Sequence, residues 1–201
     1  MNKKYEILED DTKEIDGIIL HRIRAIKNFG LFKVGTFGGY IESEKNLSQD
    51  GNSWVYGNAQ VYGNAWASGN ARVFGNAWVY GDACVYGDAR VYDNARVFGN
   101  AWVYGNAQVS GDALVYGNAR VSGDCVISES GNYLIVGPAK SSVRYTTAHL
   151  DEIIGIRVNC GCFSGSLQEF HDVIQKTHKD NPTYLKQYMN FYNFIRINFD
   201  Q

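Results

Sequence analysis

Gly57-Asn58-Ala59-Gln60-Val61-Tyr62 is one copy of a six-residue phrase that runs thirteen times, without insertion, through residues 51–128. Gly99-Asn100-Ala101-Trp102-Val103-Tyr104 is another. The first slot is Gly except at Asp93, and the second is always Asn or Asp. The third is Ala except at Ser53 and Cys125, and the fifth is Val except at Ala67 and Ile127. A short fixed period marks a solenoid, in which each unit buries its apolar side only against the next. Ala-x-Val-aromatic alternates with strand period, so Ala and Val are predicted inward and x and the aromatic outward. Gly-Asn or Gly-Asp supplies the corner, because Gly takes positive φ at no steric cost and Asn or Asp tolerates the left-handed region. Corners this tight exclude helices. They suit short strands stacked ~4.8 Å apart by parallel hydrogen bonding.

This array resembles the hexapeptide-repeat proteins, and the resemblance covers residues 51–128. It implies a triangular, left-handed, single-stranded parallel β-helix with three hexads per coil. Enzymes of that family usually carry a small residue after the buried aliphatic, whereas this chain has Tyr or Phe there, which leaves a right-handed coil as the alternative. The expected fold is mainly β: an N-terminal β-rich cap over residues 1–50, the β-helix over 51–128 and a small C-terminal α+β domain over 129–201. Thirteen hexads at three per coil make about four coils, a prism roughly 20 Å long at strand spacing.

With three hexads per coil, residues eighteen apart stack. One outer face then carries Trp54, Arg72, Arg90 and Gln108 in its x slots; a second carries Gln60, Trp78, Arg96 and Leu114; the third carries Trp66, Cys84, Trp102 and Arg120. Two places on, the first face also carries Tyr56, Phe74 and Tyr92, the second Tyr62, Tyr80, Phe98 and Tyr116, and the third Tyr86 and Tyr104. So much exposed aromatic surface on a soluble chain points to a second surface that covers it. Self-association as a homotrimer is expected, with Trp54, Trp66, Trp78, Tyr80, Tyr86, Trp102 and Tyr104 as interface residues. The alternative is an aromatic–arginine platform that stacks a ligand or nucleic acid.

Composition narrows the partners. The net charge is −2 over 201 residues and is spread along the chain, which disfavours nucleic acid as a partner. No apolar leader follows Met1-Asn2-Lys3-Lys4, and no run is long and apolar enough to cross a membrane. Cys84, Cys125, Cys160 and Cys162 show no disulfide framework, so a reducing cytoplasm is expected.

In the cap, Lys4–Leu8 reads as a strand, and Ile15-Asp16-Gly17-Ile18 as a hairpin turn into a second strand through His21–Ile26. Ile41 and Leu47 are six apart, in step with the coil, and a two-residue slip separates Leu47 from Val55. The cap is expected to shield the first coil's open edge. Arg22-Ile23-Arg24-Ala25, Gly38-Gly39-Tyr40-Ile41-Glu42-Ser43-Glu44-Lys45-Asn46-Leu47-Ser48 and the repeats that follow are similar to a group of phage and prophage proteins sometimes labelled polymer-forming. That resemblance implies a phage setting and carries no activity.

After the repeats, Tyr133–Val136, Val143–His149 and Ile153–Val158 read as three strands. Ser166-Leu167-Gln168-Glu169 is a capping box that opens a helix, and Asn181-Pro182 starts another. The Gly-rich stretch Asn159–Ser166 is read as joining a strand to that helix N-terminus, where free N–H groups can hold an anion. The candidate ligand-binding residues are Arg144, Thr146, Thr147, Cys162, Phe163, Ser164, Gly165 and Ser166. Arg144 would neutralise the charge and Thr146 or Thr147 would bond the ligand. The bland reading is an ordinary tight connection with a capped helix. Cys160 and Cys162 with His149, His171 or His178 lack a strong zinc spacing and read as packed thiols, so no metal and no cofactor is expected.

Three function classes follow. The expected one is a non-enzymatic oligomeric scaffold, phage- or prophage-encoded, whose C-terminal domain contacts a host protein. The alternative is a binder that sequesters a small anionic ligand, such as a signalling nucleotide, as a host-defence antagonist. The third is a hexapeptide acyltransferase. The resemblance implies a histidine base in or looping from the coil for that class, and residues 51–128 contain no His and no insertion. No catalytic residue is assigned.

Overall fold

The computed structural model of the chain describes residues 3–129, 132–139 and 145–199. Thirteen two-residue strands, from β4 (Trp54–Val55) to β16 (Val126–Ile127), wind as a parallel solenoid. Residues eighteen apart pair: Val55 with Val73, Val61 with Val79, and Trp66 with Cys84. Three hexads therefore make one coil, and the three faces are those expected from the sequence. The third-slot and fifth-slot residues, from Ser53 and Val55 to Cys125 and Ile127, are all fully buried. Asp93, the one first-slot residue that is not Gly, sits at φ 58, in the region that Asp tolerates.

Stacking continues outside the core. Tyr56, Phe74 and Tyr92 lie 4.9 Å apart and nearly parallel. Tyr62, Tyr80, Phe98 and Tyr116 form a second column, and Tyr86 with Tyr104 a third. At the corners, Asn side chains ladder in the same sense: Asn52 Nδ2 donates to Asn70, Asn70 to Asp88, and Asn64 to Asp82. Strand spacing suits offset ring stacking and amide ladders equally well.

The coil is longer than its thirteen hexads, about five turns deep rather than four. The extra turn comes from the cap. There β1 (Tyr5–Ile15) and β2 (Ile18–Ala25) form a hairpin whose turn residues Asp16 and Gly17 both have positive φ, and β2 pairs antiparallel with β3 (Phe37–Ile41). Tyr40 and Ile41 then join the coil in parallel, opposite Gln60 and Val61, and Leu47 bridges to Ala67. Both steps span twenty residues, which accommodates the two-residue slip. Gly38 and Gly39 lie on the first turn so closely that a Cβ would meet Val55 O at 2.7 Å and Ala59 O at 2.5 Å.

The first turn presents bare carbonyls, and the cap answers with donors. Tyr40 N and Ser48 N bond Ala59 O and Ala67 O at 2.9 Å. The Asn46 amide donates to Gly63 O and Ala65 O. The fully buried Lys4 ammonium donates to Ser53 O at 2.8 Å and Ser53 Oγ at 3.1 Å. Burial pushes its pKa down to about 8, against the opposing pull of Asp50.

After the coil, β17 (Tyr133–Val136), β18 (Thr146–Asp151), β19 (Gly155–Cys160) and β20 (Phe163–Ser166) form an antiparallel sheet. One side of it packs on α1 (Leu167–His178) and α2 (Pro182–Phe199) through Ala148, Val158, Phe170, Ile174, Tyr188 and Ile195. Ser166 caps α1 in the expected box with Glu169. No helix among the described residues is long and apolar enough to cross a membrane.

Val91 lies deep in the stack and Arg90 beside it is exposed. Val91→Asp should cost more than about 4 kcal/mol, whereas Arg90→Gln should stay within about 0.5 kcal/mol. Denaturant melts of the two variants check the inward and outward assignment.

Candidate functional site

Two places compete as the functional site: the aromatic exterior of the coil, and the polar strand with its neighbouring turn in the C-terminal sheet.

On the exterior, the cap covers more than the sequence led us to expect. Trp54 is fully buried, in ring contact with Tyr5, Phe29 and Phe32. It therefore leaves the set of interface candidates, because the loop after β2 folds back over the first turn. The β1–β2 hairpin covers the second face in the same way. Leu20, Tyr40 and Tyr62 bury together there, and Gln60, expected outward and open, is only 7 % exposed. Trp78 is half-buried with the Arg96 guanidinium 4.9 Å over its ring, and Tyr80 sits inside its stacked column.

The third face stays bare. Trp66 is 43 % and Trp102 37 % exposed, and the half-buried Tyr86 and Tyr104 flank them. No ring of the cap contacts either tryptophan among the described residues. Cys84 lies between them in the column, with its thiol pushed up by burial and the nearby Asp82. Arg120 closes the column, its guanidinium 4.6 Å from the Trp102 ring centre.

The C-terminal candidates do not assemble into an anion pocket among the described residues. Arg144 lies outside them. Gly161 and Cys162 form a hairpin turn, and 163–166 is not a loop but β20, paired with β19 from Cys160–Phe163 to Arg157–Ser166. As the edge strand of that sheet, it has the backbone groups on its β19 side engaged. The α1 N-terminus is engaged as well: Ser166 N donates to Glu169 Oε2 at 2.8 Å, and Glu169 N donates to Ser166 Oγ at 3.2 Å. Hydrogen bonds from Ser166 hold the Glu169 carboxyl below its usual range, so an anion already occupies that helix end. A Cβ on Gly165 would meet Glu169 Oε2 at 2.7 Å and the Phe163 ring at 2.9 Å, which leaves no cradle there. Cys162 and Ser164 are exposed, whereas Phe163 packs on Phe170. Thr146 is fully buried on the helix side and contacts Cys160 Sγ.

The other side of β18 has a different task. Within the coil, the N–H groups of one turn bond carbonyls of the next, as Trp66 N to Ala83 O, Ser68 N to Val85 O and Asn70 N to Gly87 O. Along this column the row ends at Arg120, Ser122 and Asp124. Their N–H groups instead meet Thr147 Oγ1 at 3.1 Å, His149 Nε2 at 3.4 Å and Asp151 Oδ2 at 3.3 Å. Alternate side chains of one strand stand in for the carbonyls of a missing turn. The polar residues on this side of the strand are the signal the sequence did carry, and they cap the coil.

Neighbours complete the cap. Asn159 donates to Arg120 O and accepts from Ser122 Oγ, and Arg157 pairs with the buried Asp151 at 2.7 Å. Burial alone would raise the Asp151 pKa, but hydrogen bonds from Arg157, Ile153 N and Ile154 N outweigh it and hold the carboxyl below its usual range.

The fold thus defines a parallel β-solenoid with a cap at each end. Comparison with known proteins agrees: residues 67–81, 89–105 and 115–129 match the YdcK β-solenoid repeat. A stretch of 54 residues, 27 % of this chain, is 39 % identical to the uncharacterized acetyltransferase YdcK of Escherichia coli (strain K12), and it covers 16 % of that protein's length.

Tryptophan fluorescence checks the bare face. Trp66→Phe combined with Trp102→Phe should remove most of the emission that acrylamide quenches, whereas Trp54→Phe should remove a protected fraction. Equal losses from both would contradict the placement of the cap.

Proposed function

We propose that the chain is a non-enzymatic scaffold that self-associates through the third face of its coil and uses its C-terminal domain to contact a second protein. The observation that carries this reading is the third face itself, where Trp66 and Trp102 stay exposed, whereas the cap buries Trp54 and Gln60 at the start of the other two. Charge placement supports a second copy as the occupant. Within residues 51–128 the arginines 72, 90, 96 and 120 all sit on faces, and the aspartates 82, 88, 93, 112 and 124 all sit at corners. Of these arginines Arg120 alone lies on the third face, so a corner aspartate of another copy has a charged partner there at the far end of the column. A closed homotrimer is the assembly that the prism shape and the hexapeptide-repeat resemblance favour. The outer helical layer exposes Val173, Phe194 and Ile197, apolar surface suited to a protein partner, which the phage resemblance makes a host protein.

Catalysis has less support. All four histidines lie off the coil: His149 is buried in the end cap, His178 stacks on Tyr188, His171 lies beside Asp172 and His21 near Glu9. The acetyltransferase name of the relative is therefore not carried over. The nucleotide-binding alternative loses its support with the anion pocket.

Light scattering at micromolar concentration should give a trimer mass. Trp66→Asp with Trp102→Asp should lower that mass while leaving the melting temperature of the coil close to wild type, since both positions are exposed in the single chain. A wild-type monomer would overturn the proposal.

A further inference from the structure

His149 is fully buried between the coil and the C-terminal sheet, and its environment accepts only one protonation state. Nε2 faces two donors, Ser122 N at 3.4 Å and Asn159 Nδ2 at 3.3 Å. It must therefore be an unprotonated acceptor, and Nδ1 carries the hydrogen toward Leu150 O at 3.2 Å. A proton on Nε2 would point at two N–H groups and leave Ser122 N without an acceptor. The structure points to His149 as a pH-sensitive latch: we propose that its protonation opens the joint between the coil and the C-terminal sheet while the turns of the coil stay wound.

The surrounding charges fit this role. Arg157 stands directly across from His149 on β19 and opposes a second positive charge. Asp151, two residues along β18, would welcome an imidazolium, but it is already engaged by Arg157 and by the N–H groups of Asp124, Ile153 and Ile154. Tyr133 pairs opposite on β17, and burial raises its pKa to about 12, so it stays neutral. From the coil end, Cys125 is buried with its thiol pushed up to about 12, chiefly by burial. Arg120 directs its charge to Trp102 and Gly161 O, and Asp124 accepts from Asn106. None of these groups supplies a free counter-charge at Nε2.

Burial, the largest cause, and Arg157 together push the His149 pKa down to about 4, from an ordinary value near 6.5. The open state binds the proton more readily, so the latch is at full strength above about 6.5 and weakens as the pH falls toward about 4, with opening increasing about tenfold per pH unit across that window. Asp151 stays ionised through this range because its own pKa is depressed, so the histidine opens the joint before the Asp151–Arg157 pair is lost.

Hydrogen exchange on the full chain tests the latch, read as protection factors corrected for the intrinsic pH dependence. Between pH 7 and pH 4.5 the amides of residues 120–124 should lose protection by well over tenfold, while those of mid-coil residues such as 91 and 97 hold theirs. His149→Gln keeps an acceptor but no titrating group, and it should flatten the profile at 120–124. Equal pH profiles in wild type and His149→Gln, or loss of protection along the whole coil at once, would overturn the proposal. If His149→Gln does not fold, an NMR titration of the wild-type imidazole decides. A midpoint well below 6.5 that tracks exchange at 120–124 supports the latch, and one at the ordinary value refutes it.

Discussion

A parallel coil has a direction. Second-, fourth- and sixth-slot N–H groups point toward the next turn, where first-, third- and fifth-slot carbonyls point back to meet them, while the fourth-slot carbonyl points forward to a fifth-slot N–H, so each end of the stack leaves rows of both kinds unanswered. A buried polar group without a partner costs on the order of 1–3 kcal/mol, so each row needs partners of the opposite kind. This chain meets the requirement with different devices. At the start it supplies donors: the ammonium of Lys4, the amide of Asn46 and the backbone of β3. At the finish it supplies acceptors for the N–H row, the hydroxyl of Thr147, the imidazole of His149 and the carboxylate of Asp151, and a donor, the Asn159 amide, for Arg120 O. Both flanking units can be understood as answers to these open ends.

The same register governs the outside. Because turns superpose at eighteen residues, whatever occupies an outward slot meets its own kind one turn away. Rings stack on rings and amides bond amides, as in the columns from Tyr62 to Tyr116 and from Asn58 to Asn94. An aromatic exterior that reads as starved of partners in the sequence is half-satisfied within the chain. The coil's rings that remain most open are Trp66 and Trp102 on the third face and Tyr116 at the end of its column.

The repeat was the most legible part of the molecule. Its period set the corners, the inward Ala and Val, the three faces and even the slip between Leu47 and Val55, because each follows from local geometry repeated without interruption. The capping box at Ser166 was legible for the same reason. Contacts made by folding back were not. Nothing near Trp54 in sequence says that Phe29 and Phe32 will cover it, and β20 was hidden because Phe163-Ser164-Gly165-Ser166 has the composition of a turn. Thr147, a ligand candidate by sequence, belongs with His149 and Asp151 to the side of β18 that ends the coil. A row of alternating Thr, His and Asp suits a ligand pocket as well as a coil end. Only a count of the donors left over at Arg120, Ser122 and Asp124 separates the two, and that count requires knowing where the last turn stops.

The eighteen-residue register has a consequence for how such a chain can change length. Three hexads added anywhere in the array lengthen the rod by one strand spacing, ~4.8 Å, and return every later residue to the face it held before. One hexad added or lost turns everything beyond it by a third of a revolution, which carries the C-terminal sheet and its helices to a different side of the prism. The molecule is thus a ruler with a phase: whole-turn duplications adjust reach alone, and single-hexad changes redirect what the far end presents relative to the cap.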